Sequence, residues 1–191
     1  MEEFEVKFLE VDVSELTQKL LEIGAVKTGE TLSKIICFDF SDYRLRAKHA
    51  WVRLRSEFGK TTLAYKQRLG VNSGEVGTGD EGMKEVEVGV GDFEQTKSLL
   101  LSIGMVEKCS QERKRVRYEK DEIEFCLDTW PLVPTYIEIE GPTWDKVKKT
   151  SEGLGFDWNN RFLGSFSQVG KKYGIDDHDY SVFTFKEQIK K

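Results

Sequence analysis

The chain has 191 residues and a net charge of −5, with 33% charged and 12% aromatic residues. This length is enough to bury a core, and the aromatic content excludes an intrinsically disordered chain. The acidic balance disfavours a nucleic-acid interface, but it does not exclude a small anionic ligand, whose binding depends on the local arrangement of charge.

Cysteine and histidine are scarce, which narrows the chemistry available. Cys37, Cys109 and Cys126 are widely spaced and form no CxxC motif, so they predict reduced thiols. Two histidines, His49 and His178, cannot build a multi-histidine zinc site, and neither lies in a nucleophile motif. The N-terminal residues lack the pattern of a signal peptide, and no apolar run is long enough to span a bilayer. We therefore expect a cytoplasmic protein without a membrane partner.

A strand, an amphipathic helix and a glycine follow one another three times along the chain. Each of these strands places two glutamates on one face, and each glycine suits a left-handed helix C-cap. Asp12 or Ser14 can cap the first helix and Asp92 the second. The strands are predicted at 3–6, 85–88 and 137–140, the helices at 14–23, 92–103 and 145–154, and the glycines are Gly24, Gly104 and Gly155.

The remaining segments predict further strands, because they are short and rich in β-branched and aromatic residues. These strands are 35–40, 50–55, 61–67, 113–119 and 123–128. A last helix is predicted over 160–173 and one more strand over 180–185. We expect one domain over residues 1–174 and a tail over 175–191.

Side chains at positions i and i+2 share a face of a strand, and here these faces carry paired charges. A polar face usually points into solvent, which is the simplest interpretation. Two features favour an enclosed face instead. The charges within several strands have one sign, and the opposite faces carry apolar residues, including Val86 and Val88, that helices can cover. The pairs are Glu3/Glu5, Arg53/Arg55, Glu85/Glu87, Arg113/Arg115 and Glu138/Glu140.

Such a set of charges has a definite chemical use. Clustered carboxylates suit Mg²⁺ or Mn²⁺, and arginines and lysines bind phosphate oxygens. Together they predict a site for a metal–triphosphate complex.

A GxGxxG match over Gly77–Gly82 is followed by a strand rather than a helix, so it does not indicate a dinucleotide site.

The order of motifs resembles that of the CYTH, or triphosphate tunnel metalloenzyme, superfamily. Its ExExK signature matches Glu3-x-Glu5-x-Lys7 at the N-terminus. Further motifs follow in the family's order: Ile36-Cys37-Phe38-Asp39, Trp51-Val52-Arg53-Leu54-Arg55, Leu63-Ala64-Tyr65-Lys66, Glu85-x-Glu87, Arg113-x-Arg115-x-x-Tyr118, Leu127-Asp128 and Ile137-Glu138-Ile139-Glu140-Gly141. The resemblance covers about residues 1–174.

The resemblance implies an α+β fold, with a closed eight-stranded antiparallel β tunnel (a barrel) and helices outside. It implies catalytic roles for Glu3, Glu5 and Lys7. It implies a Mg²⁺ or Mn²⁺ site formed by Glu3, Glu5, Asp128, Glu138, Glu140, Glu85 and Glu87. It implies that phosphate is bound by Lys7, Arg53, Arg55, Lys66, Arg113 and Arg115. A further basic contact from Lys171 or Lys172 stays open, and a homodimer is a further expectation.

Three functions are compatible with these expectations. The first is a metal-dependent triphosphatase acting on inorganic triphosphate, thiamine triphosphate or ATP. The second is an adenylate cyclase of class IV type, which converts ATP to cyclic AMP and pyrophosphate. The third is a polyphosphate- or nucleotide-binding module without turnover, which the many carboxylates disfavour because anion capture needs cations more than acids.

Overall fold

The structure of the protein, a computed structural model, describes residues 4–69 and 83–191. It is an α+β fold with a large, mainly antiparallel sheet. The described part contains ten strands: β1 (Phe4–Phe8), β2 (Val26–Phe40), β3 (Ala50–Glu57), β4 (Lys60–Arg68), β5 (Met83–Val90), β6 (Met105–Lys120), β7 (Ile123–Trp130), β8 (Val133–Gly141), β9 (Tyr180–Phe183) and β10 (Gln188–Lys190). Its four α-helices are α1 (Val13–Glu22), α2 (Phe93–Ser102), α3 (Trp144–Gly153) and α4 (Phe166–Lys172).

Two compact units make up the chain. The first unit contains Met1–Thr31 and Lys114–Gly164, and the second contains Leu32–Arg113 and Ser165–Lys191. The long strands β2 and β6 contribute residues to both units.

The first unit packs α1 and α3 against one face of β1, β8, β7 and the C-terminal part of β6. Those strands follow one another in that order and are antiparallel. Alternate residues of the strands point into an apolar cluster with the two helices. The fully buried members include Val6, Phe125, Ile137 and Ile139 from the strands and Leu20 from α1. Charged residues therefore occupy the other face.

The second unit uses the same arrangement on β2, β3, β4 and β5. Leu54 of β3 and Phe38 of β2 are fully buried and pack with Leu100 of α2. The arginines of β3 alternate with these apolar residues, so they lie on the opposite face. In the C-terminal segment, β9 runs parallel to part of β6 and pairs with β10.

Three predicted helices lie close to the expected segments, because their apolar spacing and caps are strong local signals. Asp12 accepts a hydrogen bond from the backbone N–H of Glu15, and Asp92 caps α2 in the same way. The last helix is shorter than predicted over 160–173. Ser165 and Gln168 form a capping box, which starts α4 at Phe166.

The prediction of a closed eight-stranded tunnel is wrong for this structure. Ten strands occur, and the order β1-β8-β7-β6-β2-β3-β4-β5 ends at β1 and at β5 among residues 4–69 and 83–191. At β1 the reason is visible in the backbone. The backbone N–H of Lys7 donates to the carbonyl oxygen of Phe162 at 3.0 Å, and the carbonyl oxygen of Lys7 accepts from the N–H of Phe162 at 2.8 Å. The irregular segment around Phe162 therefore covers the outer edge of β1.

The expectation that helices cover Val86 and Val88 is also wrong. Both side chains are more than half exposed. The apolar cluster beneath α2 includes Val90 of the same strand but neither of these two valines. Among the described helices, none is both long and apolar enough to cross a membrane.

Candidate functional site

The first unit carries a charged face across β1, β8, β7 and β6. Lys7 of β1 is the register partner of Glu138 in β8, which is the partner of Cys126 in β7. Arg115 of β6 is opposite Asp128 of β7. Since neighbouring residues of each strand fill the apolar core, the strand alternation fixes all of these side chains on one face.

Lys7 is the buried cation of this face, with only 5% of its surface exposed. Its ammonium group pairs with the carboxylate of Glu5 and lies 3.3 Å from that of Glu138. Burial alone would lower the pKa of Lys7, but the attraction of Glu138 and Glu5 outweighs it and raises the pKa. Lys7 is therefore held in its charged form between two acids.

Arg115 and Asp128 form the second buried ion pair of the face. The guanidinium donates two parallel hydrogen bonds of 2.6 Å to the two oxygens of Asp128, which is fully buried. It also donates to Glu138. Burial would lower the pKa of Arg115, but Asp128 and Glu138 raise it well above its usual value. Glu138 thus links Lys7 to Arg115, and its carboxylate is the centre of the network.

Four glutamates form a row across adjacent strands, which we call the acidic row. Glu5 is the register partner of Glu140, Glu140 of Glu124, and Glu124 of Glu119. Like charges opposite one another destabilise a sheet unless cations neutralise them. Arg117 does so in part, because its guanidinium lies 3.3 Å from Glu119 and 3.6 Å from Glu124.

The second unit has its own charged face, on β3, β4 and β5. Arg53 of β3 contacts Glu87 at 3.0 Å and Glu85 at 3.3 Å. Lys66 of β4 is 2.9 Å from Glu85. The Nε atom of Arg53 is buried and has no hydrogen-bond acceptor within the described ranges. An anion supplied by a ligand would satisfy that donor.

Glu57 forms ion pairs with two further cations of the second unit, Arg55 and Arg113. Its carboxylate accepts from Arg113 at 2.5 Å and from the fully buried Ser33 at 2.6 Å. Arg55 lies 3.4 Å away. Burial, together with the nearby charge of Arg53, lowers the pKa of Arg55. Glu57 therefore fixes the positions of two arginines on this face.

The structure places the predicted site residues in two groups. Glu5, Lys7, Arg115, Asp128, Glu138 and Glu140 lie on the charged face of the first unit, and Arg53, Arg55, Lys66, Glu85, Glu87 and Arg113 on that of the second. Glu3 and the GxGxxG segment lie outside the described residues.

Sequence reasoning missed Glu57 as a site residue, although its i+2 spacing from Arg55 placed it on the same face. It also missed Ser33, which carries no charge signal.

The remaining candidates from the sequence lie elsewhere. Lys171 is 3.3 Å from Asp176, which also binds His178 at 3.0 Å in the C-terminal segment of the second unit.

Burial raises the pKa of Cys37 to about 12 and that of Cys109 to about 11, so both thiols stay protonated at neutral pH.

The donor set of the first unit fits a divalent metal. Glu5, Glu138 and Glu140 offer carboxylate oxygens from two adjacent strands, and hard cations such as Mg²⁺ and Mn²⁺ prefer oxygen ligands. Lys7 pairs with Glu5 at one end of the acidic row, and Arg117 pairs with Glu119 and Glu124 at the other. Carboxylates clustered in this way are the oxygen ligands that a divalent ion prefers.

Comparison with known proteins agrees with the geometry. A model of the CYTH domain matches residues 1–158. The chain belongs to the CYTH family. Members of this family process triphosphates and use divalent metals. The search of curated proteins gave no match.

Solved structures of the same fold come from several organisms. The PH1012 protein of Pyrococcus horikoshii OT3 is 20% identical, with a TM-score of 0.66, and the match covers 88% of this chain and 99% of that one. A putative adenylate cyclase of Vibrio parahaemolyticus is 13% identical, with a TM-score of 0.69 and coverages of 87% and 96%. A putative adenylyl cyclase of Hippeastrum, described as having a dominant triphosphatase activity, is 19% identical, with a TM-score of 0.59 and coverages of 88% and 93%.

Proposed function

We propose that this CYTH protein is a Mg²⁺- or Mn²⁺-dependent triphosphatase. The observation that carries the proposal is the buried Lys7–Glu138–Arg115–Asp128 network beside the acidic row. A structural sheet face does not need a buried lysine, a largely buried arginine and so many carboxylates, because apolar residues stabilise a fold at least as well. A site for a metal–triphosphate complex needs both kinds of charge.

The proposed roles follow from the contacts of each residue. Glu5, Glu138 and Glu140 would hold the metal, with Asp128 keeping Arg115 in place. A bound Mg²⁺ or Mn²⁺ would neutralise phosphate oxygens and lower the pKa of a bound water. Lys7 and Arg115 are fixed, charged donors, so they would bind phosphate oxygens with little reorganisation.

The second unit supplies further proposed phosphate-binding groups. Within this unit, Arg53, Arg55, Arg113 and Lys66 present cations on one sheet face, where Glu85 and Glu87 balance them and are acids proposed to bind a divalent ion. Arginine guanidinium groups bind phosphate oxygens in a bidentate manner. Among residues 4–69 and 83–191, the buried Nε donor of Arg53 has no acceptor, and a phosphate oxygen could accept from it.

The proposed reaction is attack by water on the terminal phosphorus. A new P–O bond forms to the water oxygen, and the bond to the bridging oxygen breaks. The electron pair leaves with that bridging oxygen, and the water loses a proton to solvent. Triphosphate and water thus give diphosphate and phosphate. The fixed cations stabilise the charge that develops on the leaving oxygen.

An adenylate cyclase is the second candidate, and the description of the Vibrio relative favours it. In that reaction the ribose 3′-hydroxyl attacks the α-phosphorus of ATP and pyrophosphate leaves. The charged faces serve either reaction, because both develop charge on phosphate oxygens. The description of the Hippeastrum relative favours hydrolysis, which is why we place it first.

A substrate panel separates the two reactions. The protein is incubated with inorganic triphosphate, thiamine triphosphate or ATP and with Mg²⁺ or Mn²⁺, and both phosphate and cyclic AMP are measured. We expect phosphate release from at least one substrate without cyclic AMP. Cyclic AMP with an equal amount of pyrophosphate would replace our proposal with the cyclase.

The substitution Glu57→Gln should weaken substrate binding more than it slows turnover. The amide keeps the shape of the side chain but loses the charge that positions Arg55 and Arg113, so we expect KM to rise about tenfold, as for a lost charge-assisted hydrogen bond. The same change at the exposed Glu122 is the matched control and should leave KM unchanged. A large fall in kcat with an unaltered KM would contradict this role.

A further inference from the structure

The first unit contains an open surface cavity of about 320 Å³ that the proposed reaction does not use. It is lined by Trp144, Asp145, Lys148, Trp158, Arg161 and Leu163. The ring of Trp144 packs on Phe4 at 5.2 Å. Phe4 and Glu5 are neighbours in β1 and point to opposite faces, so this cavity is on the helix side of the sheet, away from the charged face.

Two indole rings form a corner of the cavity. Trp144 begins α3, and Trp158 lies in a short 3-10 helix over Trp158–Asn160. Their ring centroids are 6.3 Å apart and their planes meet at 76°. Trp158 packs against the apolar core, whereas 42% of Trp144 is exposed. A flat aromatic ligand could therefore stack on the exposed indole of Trp144.

Two cations lie at the same cavity. Lys148 is one helical turn after Trp144 and shares its face of α3. The guanidinium of Arg161 lies over the ring of Trp158, 4.9 Å from its centroid, and donates to the carbonyl oxygen of Trp158 at 2.9 Å. Within residues 4–69 and 83–191, Arg161 has no ion pair with a carboxylate, and Lys148 has only a 3.9 Å contact with Glu152.

We propose that this cavity is a binding site for a purine mononucleotide. The purine ring stacks on the indole of Trp144, and the phosphate binds Lys148 and Arg161. Asp145 offers a carboxylate that accepts hydrogen bonds from amino and ring N–H groups of the base. The volume lies near the lower end of ligand pockets, which run from about 300 to 1,000 Å³, so a single nucleotide fits better than a larger ligand.

Calorimetric titration with GMP and AMP tests the proposal. We expect at least one of them to bind, and guanosine, adenosine and inorganic phosphate to bind at least about tenfold more weakly, since each lacks one half of the contacts. The double variant Lys148→Met/Arg161→Met should weaken binding about tenfold or more for the same reason. These residues lie at the surface, and circular dichroism checks that the variant is folded. If neither GMP nor AMP binds, the proposal is wrong.

The same titration separates this site from the charged face. Binding should persist in the Glu138→Gln protein, because Glu138 lies on the charged face and not at this cavity. The Trp144→Leu protein should lose nucleotide binding. The Lys148→Met/Arg161→Met protein should still release phosphate from triphosphate at the rate of the parent. If Glu138→Gln abolishes nucleotide binding, or if the Lys148→Met/Arg161→Met variant binds the nucleotide as the parent does, the nucleotide occupies another site and the inference is wrong.

Discussion

Replacing Asp128 with Ala should lower the free energy of unfolding by about 3–5 kcal/mol, the usual cost of breaking a buried ion pair. Asp128 is fully buried and accepts two hydrogen bonds from Arg115. The substitution leaves the guanidinium of Arg115 buried with only Glu138 as a described acidic partner. Urea unfolding at neutral pH, followed by circular dichroism, measures the change.

An exposed pair provides the control for that experiment. Glu122 lies 2.8 Å from Lys146, and its side chain is 80% exposed. Glu122→Ala should leave the free energy of unfolding almost unchanged, because exposed ion pairs contribute little. Asp128→Asn keeps the shape but loses the charge and should fall between the two. An Asp128→Ala protein as stable as the parent would show that the buried network does not hold the first unit together.

Changing Glu138 to Gln should reduce the turnover of triphosphate about 100-fold or more, the size of effect seen when one electrostatic group of an active site is removed. Glu138 contacts both Lys7 and Arg115 and is a proposed metal ligand. Its amide would bind the metal weakly and would no longer position the two cations. Initial rates of phosphate release with saturating Mn²⁺ give the comparison.

The outcome also separates an enzyme from a binding module. The Glu138→Gln protein must first be shown to be folded at the assay temperature, with Glu122→Gln as the matched variant of unchanged rate. A binding module would show no turnover in the parent, and its Glu138→Gln form would keep or gain affinity for triphosphate in metal-free buffer. Equal rates for Glu138→Gln and the parent would remove Glu138 from the proposed machinery.

Local signals in the sequence were sufficient for most elements of the fold. Alternation of charged and apolar residues predicted β1 and β8, since Val6 and Ile139 fill the core while Glu5 and Glu138 share the other face. Apolar spacing with a capping aspartate predicted α1 and α2. These features depend on residues a few positions apart, which a single sequence displays directly.

Features that depend on distant pairing were not predictable in the same way. Closure of the sheet is a property of its edges, and the bridge between Lys7 and Phe162 at the edge of β1 has no signature in either segment. The exposure of Val86 depends on how far α2 reaches over β5, which the alternation of β5 cannot show.

In the candidate site, too, some features were predictable from the sequence and others were not. Alternation placed Lys7 and Arg115 on charged faces, but it could not show that Glu138 joins them. Glu57 was on the predicted face as well, yet only the structure shows its contact with the buried hydroxyl of Ser33. Partners in such networks come from segments far apart in the chain, so the residue types were predictable and their pairing was not.

The metal dependence of phosphate release tests the central claim most directly. The best substrate of the panel is incubated with protein freed of metal by EDTA, then with added Mg²⁺ or Mn²⁺, and phosphate is measured over time. We predict no release without metal and full recovery on its addition. Release that continues in EDTA, or none from any of the three triphosphates with either metal, would contradict a metal-dependent triphosphatase.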